Sequence, residues 1–439
     1  MTDAALQEKA TPRYAWACLG VTFFVSVSIV LTWFWPVGVT FDLMKPWLIA
    51  NTPGFSFSGL SSIMGLTPIA AMIMAIPTSA LVRKFGVKTT IIAGMLVAIV
   101  TGALQAIGAM YSFSLFLVAR CLYGCGIAMT AVSGPTAVSI WFPSATRGRA
   151  MGIWSCWVPL GLIIINNIGS GLFGVFGNNL PAVIWFTVAV LACALVCFAL
   201  VFRLPNADES SEVSAERKPF SEVAHFFKNR QLWCLIAAFL IFNYMNYNFS
   251  TYLKTWLAAD PTSATGGMGM DLGLAGLLAG LITACGILAP IGGIILDKTK
   301  KKNQYLLVVI GVTALTLACV FSYRANNVAF IVYVAFFCLG NMLLNACCRP
   351  LVPSFLFKGG STAVAMGLSF LTCAQYLGQV PMSYIMDALV GTGMTYSEAT
   401  MAAFVPVGIV GIVLAFFVKP SKAKAVKEDG TAEKAQARA

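Results

Sequence analysis

Three basic residues, Arg120, Lys254 and Arg349, lie inside long apolar runs of this 439-residue chain. A cation at the centre of a membrane helix costs about 2.5–3.5 kcal/mol on insertion scales, so it needs a watery cavity, a partner or a ligand. No acid stands at matching depth: Asp42, Asp271, Asp387 and Glu398 fall at the outer ends of the runs, and Asp297 at an inner end. Positive charge without a matching acid predicts a site for an anion, and arginine suits that task because its planar fork can grip a carboxylate through two hydrogen bonds. Arg120 sits in Phe116-Leu117-Val118-Ala119-Arg120-Cys121-Leu122-Tyr123-Gly124, and Arg349 precedes Pro350, about eight residues before Phe357-Lys358. Lys254 is nearer an outer end, where it either snorkels or meets incoming solute.

A polar and aromatic strip leads up to Lys254. Asn243, Tyr247, Thr251 and Lys254 follow i, i+4, i+8, i+11 spacing and share one helical face. That face lines a cavity or, in the plainer reading, hydrogen-bonds to neighbouring helices. Trp33, Trp35, Trp154, Trp157, Asn166, Asn167, Gln375, Tyr376 and Gln379 are weaker candidates, since aromatic residues near span ends commonly anchor at the interface.

Holding such side chains requires helices that cross a bilayer. Hydrophobic residues make up 59% of the chain, charged residues 10%, and the mean hydropathy is +0.84, so the expected class is an all-α polytopic membrane protein. Lipid tolerates no open sheet edge, and a span needs about 20 apolar residues. Twelve such spans are expected: Tyr14–Thr40, Gly59–Val82, Thr89–Met110, Ser112–Ile140, Ala150–Phe173, Ala182–Phe202, Leu232–Leu257, Leu272–Leu296, Tyr305–Tyr323, Val328–Phe355, Ala363–Leu389 and Met401–Val418.

The net charge of +12 does not imply nucleic acid, because the basic residues segregate by side. With these spans, 23 of the 28 fall in loops and termini on one face, against Lys45 and Arg324 on the other. The positive-inside rule then puts both termini in the cytoplasm, and anionic membrane lipid is the partner the excess implies. The expected organisation is a segment 1–13, a six-span unit 14–202, a charged linker 203–231, a second six-span unit 232–418, and a tail 419–439 of disordered composition. An internal repeat supports the division. Ala150-Met151-Gly152 recurs as Ala365-Met366-Gly367, and the same offset of 215 lays Pro135 on Pro350 and Phe142 on Phe357.

The loop Ser79-Ala80-Leu81-Val82-Arg83-Lys84-Phe85-Gly86-Val87-Lys88 resembles the G-x-x-x-D-[RK]-x-G-x-[RK]-[RK] signature of the major facilitator superfamily. The second half repeats it with Gly293, Asp297, Lys298 and Lys302, but has Lys300 in place of the later glycine. The first half keeps Lys84, Gly86 and Lys88, with Ser79 for the first glycine and Arg83 for the aspartate. Arg120-x-x-x-Gly124 and Trp141-Phe142-Pro143 followed by Arg147-Gly148-Arg149 are similar to that family's fourth helix and its passage to the fifth. The fifth-helix G-x-x-x-G-P pattern is poor, with Val158-Pro159 in place of Gly-Pro. The resemblance implies two pseudo-symmetric six-helix bundles whose helices 1, 4, 7 and 10 line a central cavity; Arg120, Lys254 and Arg349 fall on spans 4, 7 and 10.

The loop motif implies a conformational latch built from Lys84, Gly86, Lys88, Gly293, Asp297 and Lys298. An acid at a helix end beside Lys298 can pair with basic groups or a neighbouring helix N-terminus and hold the inner side closed. The plainer reading makes the basic members topology determinants only.

Alternating-access transport of a small carboxylate-like anion is therefore expected, by exchange or by symport in which the proton travels on the solute, since no buried carboxylate or histidine offers a proton site. Oxalate/formate-type and cyanate-type carriers are the nearest analogues, although the lysine that oxalate/formate carriers use in span 11 is lacking. A proton-coupled exporter of drugs or cations shares the fold but requires a cavity acid. A non-transporting sensor or scaffold requires an appended domain. The 13 cysteines lie within the spans without a Cys-x-x-Cys, and His225 is the one histidine, so neither a metal site nor any cofactor is expected. No nucleophile or phosphate-loop constellation supports an enzyme, the first apolar run is too long for a cleaved signal, and a monomer is expected.

Overall fold

The computed structural model describes residues 13–56, 59–142, 144–204, 228–264, 266–356 and 360–419. The N-terminal half holds α1 (Arg13–Val39), α2 (Phe41–Asn51), α3 (Ser62–Phe85), α4 (Val87–Tyr111), α5 (Phe113–Trp141), α6 (Ser144–Ser155), α7 (Trp157–Val175) and α8 (Leu180–Val201). The C-terminal half holds α9 (Arg230–Ala258), α10 (Leu272–Thr283), α11 (Ala289–Lys298), α12 (Gln304–Phe321), α13 (Asn327–Leu356), α14 (Gly360–Gly391) and α15 (Tyr396–Phe416). Two spans are broken. Cys156 separates α6 from α7, and a 3₁₀ turn, Ala284–Leu288, separates α10 from α11 just before Pro290, which cannot donate to a regular helix.

Eleven stretches of the described residues are long and apolar enough to cross a bilayer. Helix α14 is the twelfth span by length and position, and it is the polar one: Gln375, Gln379, Ser383 and Asp387 dilute its apolar run. The chain is thus the all-α multi-pass membrane protein expected, its described residues consistent with twelve spans, with one correction. An acid does lie within a span, because Asp387 belongs to α14 and faces neighbouring helices at its outer end.

Local chemistry fixes the helix ends. Ser112 accepts from Leu115 N at 3.4 Å to start α5, Asp271 accepts from Gly273 N at 2.9 Å to start α10, and Thr395 with Glu398 forms a capping box for α15. Gly86 joins α3 to α4 at φ 82°, a backbone state that disfavours any residue with a Cβ. Its place in the loop motif therefore has a steric reason.

Within the N-terminal half α1 packs on α7, α8 and α5, and α5 packs on α3 and α4; within the C-terminal half α9 packs on α14 and α15, and α12 on α13 and α15. The halves meet along α3 with α14, α7 with α10, and α1 with α9. Helix α5 shows how the sequence sorts its faces. Val118 and Leu122 are 56% and 46% exposed on the rim, while Phe116, Arg120 and Tyr123 are fully buried. At the inner ends arginines lie over aromatic rings: Arg203 over Tyr14 at 4.6 Å, Arg230 over Phe417 at 4.9 Å.

Candidate functional site

Arg120 projects from α5 into a pocket of backbone carbonyls. Its Nε donates to Ile63 O at 2.8 Å, Nη1 to Thr32 O and Gln105 Oε1 at 3.4 Å each, and Nη2 to Trp33 O at 3.1 Å and Met64 Sδ at 3.6 Å. The close approach that allows this comes from Gly124, one turn further along, where a Cβ would fall on Thr67 O and the α3 backbone. Thr67 in turn donates to Arg120 O at 2.9 Å. The guanidinium is fully enclosed, and every acceptor is neutral.

Tyr247 of α9 closes this pocket from the other half. Its hydroxyl donates to Met64 O at 3.3 Å and lies within electrostatic range of Arg120. The Trp33 ring is 6.3 Å from the Tyr247 ring and 6.4 Å from that of Tyr376 on α14. Tyr376 stands beside Arg349, whose Nη2 donates to Gln375 Oε1 at 3.0 Å. An aromatic bridge, Tyr247–Trp33–Tyr376, thus spans the two halves with an arginine at each end. Arg349 is exposed, and Gln375 accepts the one hydrogen bond its guanidinium makes among the described residues.

Lys254 does not snorkel. It is 1% exposed, and its ammonium crosses from α9 to the N-terminal half, donating to Gly38 O, to Asn166 O at 2.8 Å and to Ser170 Oγ at 3.4 Å. The other three members of its helical face, Asn243, Tyr247 and Thr251, are also buried. Asn243 Nδ2 donates to Phe239 O at 2.8 Å, while Thr251 Oγ1 has no hydrogen-bond partner.

The motif loop makes contacts within its own half. Lys88 Nζ donates to Ala199 O at 3.1 Å at the end of α8, and Lys84 lies 5.1 Å from the ring of its neighbour Phe85. Gly293 has open space where a Cβ would stand, and Lys298 occupies the last turn of α11, where its charge complements the helix dipole. The Asp297 side chain lies outside the described residues, as do His225 and the tail.

Sequence reasoning passed over Gln105, Met64, Ser61 and the pair Tyr252–Asp387. Gln105 carried a usable signal, being an isolated amide in an apolar run; the Tyr252 hydroxyl donates to Asp387 Oδ1 at 2.6 Å, a contact that pairs residues 135 apart and has no local signature.

The apolar spans and their two packed halves define a multi-pass helical membrane protein. The chain belongs to the Major Facilitator Superfamily, whose family model matches residues 17–381. Among curated proteins it is 22% identical to a probable L-galactonate transporter of Escherichia coli K12 over 311 residues, 65% of this chain and 66% of that one, just under two thirds of the relative's length. It is 31% identical to Myo-inositol transporter 3 of Cryptococcus neoformans over 72 residues, 16% of this chain and 12% of that one. Among solved structures it shares its fold with a bacterial homologue of the human lysosomal transporter Spinster, inward-facing and unoccupied, at a TM-score of 0.66 and 12% identity over 93% of this chain and 96% of that one.

Proposed function

We propose that the chain moves a small hydroxylated organic anion, of the sugar-acid or related carboxylate class, by alternating access. The observation that carries this reading is that Arg120, Lys254 and Arg349 all lie within membrane spans and that, among the described residues, every hydrogen-bond acceptor they reach is uncharged. Cations at membrane depth without a counter-charge create a site of positive potential, and an incoming anion supplies the missing charge. Arg349, exposed and making one hydrogen bond among the described residues, is the residue that grips the carboxylate. Arg120 contributes field from its enclosed pocket, and Tyr247, Trp33 and Tyr376 offer ring faces and hydroxyls to a polyol body. Asn243 and Thr251 line the same face of α9, and Lys254 meets the anion on the outer side. The named substrate of the Escherichia coli relative, a sugar acid, agrees with this chemistry.

Named contacts across the seam lie from its outer end to its middle: Lys254 with Gly38, Gly276 against Asn166, and Cys373 Sγ donating to Met72 O at 3.6 Å. Exposed Asn345 and Arg349 lie towards the inner end of α13. Both features suit a carrier closed outside and open inside, with Lys84, Gly86, Lys88, Gly293, Asp297 and Lys298 forming the inner latch only after the halves rock.

Uptake into proteoliposomes from a panel of gluconate, galactonate, oxalate and malate, with choline and a lipophilic cation beside them, tests the proposal. Carboxylate uptake is expected to fall at least about tenfold in Arg349→Gln, the loss of roughly one charge-assisted hydrogen bond. Transport of cations alone, or full carboxylate uptake by that variant, contradicts it.

A further inference from the structure

Two ionisable groups of the C-terminal half reach across the outer seam, and they carry opposite charges. Lys254 holds Gly38 O, Asn166 O and Ser170 Oγ, all on the N-terminal half. Asp387 accepts from the Tyr252 hydroxyl in its own half, and Ser61 of the N-terminal half lies beside it. The charged and titratable groups facing Asp387 are Lys45 from α2, Tyr252 from α9 and Tyr396 from α15, with Asp42 of α2 beyond Tyr396. The backbones are tight here: a Cβ on Gly276 would lie 2.5 Å from Asn166 O and 3.4 Å from Lys254 Cε.

We propose that Lys254 and Asp387 are a paired ion clamp on the outer seam, and that one anion on Lys254 and one proton on Asp387 enter together by releasing it. The inference rests on the anion reading above and adds the coupling ion and its site.

Separating the halves at their outer ends withdraws Gly38, Asn166 and Ser170 from the ammonium and Ser61 from the carboxylate. Each ion then faces the outer vestibule short of partners. An anion replaces the neutral oxygens lost by Lys254 and adds the attraction of opposite charge to its hydrogen bonds. A proton on Asp387 removes its charge and turns one oxygen from an acceptor into a donor, so the Tyr252 hydroxyl loses its ionic acceptor and Ser61 the negative charge beside it. The sign is fixed: protonation weakens the closed clamp, so acid outside favours the outward-open form. Charge balances as well, because one proton and one monoanion add no net charge to the seam they close over.

The test is carboxylate uptake into proteoliposomes held at about pH 7.5 inside, with the outside at about pH 7.5 or about pH 5.5, while a trapped dye reports internal pH. Wild-type uptake of the panel carboxylates is expected to rise about fivefold or more on outside acidification, with proton influx that depends on the carboxylate. In Asp387→Asn the ratio falls to about one; Asp387→Glu keeps it, and so does Asp271→Asn, which alters an exposed outer acid that caps α10. Lys254→Met raises the KM for outside anion about tenfold or more. A pH response that persists in Asp387→Asn, or wild-type carboxylate exchange with no proton movement, overturns the clamp and leaves the anion reading standing. Failure of the wild type to move any panel carboxylate overturns the anion reading and the clamp with it.

Discussion

At Arg120 the structure separates two consequences of one charge. Removing the side chain leaves Thr32 O, whose i+4 residue is Pro36 and has no N–H to give, short of a donor in a dry pocket at a cost of about 1–3 kcal/mol, and takes a second donor from Ile63 O and Trp33 O. Arg120→Ala is therefore expected to lower the melting temperature and lose transport together, which says little about cargo. Arg120→Lys keeps the charge but lacks the planar fork that reaches carbonyls on both α1 and α3. It is expected to fold, and to lose transport by about tenfold or more through misplaced field and loosened packing. Thermal melts and uptake on the same preparation check both halves of that statement. The cationic residues were legible in the sequence because a charge stands out in an apolar run. Asp387 was not, because at a span end it resembles any solvated acid; its meaning comes from Tyr252 and Ser61, which only the fold brings to it.

At the level of elements, glycines decide how near the helices come. Gly276 on α10 lets that helix touch Asn166 on α7 across the seam, with no room for a methyl group. Gly276→Ala is expected to wedge the outer seam and favour the outward-open form. A cysteine placed at Ser170 should then react faster with a membrane-impermeant maleimide, above the background of the native cysteines; an unchanged rate would show that the seam absorbs the methyl by local shifts. Span positions followed from hydropathy, but the interruptions at Cys156 and at Ala284–Leu288 did not, since a short break does not disturb an apolar run. The low hydropathy of α14 was visible in its Gln375, Gln379 and Asp387, yet it became informative only once the helix was seen at the seam beside α3.

For the molecule as a whole, duplication and charge segregation were enough to give two six-span halves, because an offset of 215 and one-sided basic loops do not depend on knowing any contact. Pseudo-symmetry then makes the chemistry uneven in an instructive way. The repeat partner of Arg349 is Gly134, and a Cβ there would lie 2.5 Å from the Trp154 ring, whose Nε1 donates to Ser26 Oγ at 3.2 Å. An aromatic ring thus fills the place in one half that an arginine occupies in the other, so the exposed cation near the inner mouth belongs to the C-terminal half alone. What sequence could not supply was which cations would be open and which enclosed, since that depends on how the two halves close over one another.

The most direct measurement is equilibrium binding to the detergent-purified protein, by calorimetry, of a hydroxy-carboxylate and of its uncharged amide. Binding of the carboxylate about tenfold or more tighter than the amide, with the difference lost in Arg349→Gln, is the predicted result. Equal affinity for the two compounds, or a preference for the carboxylate that survives the loss of Arg349, would contradict it.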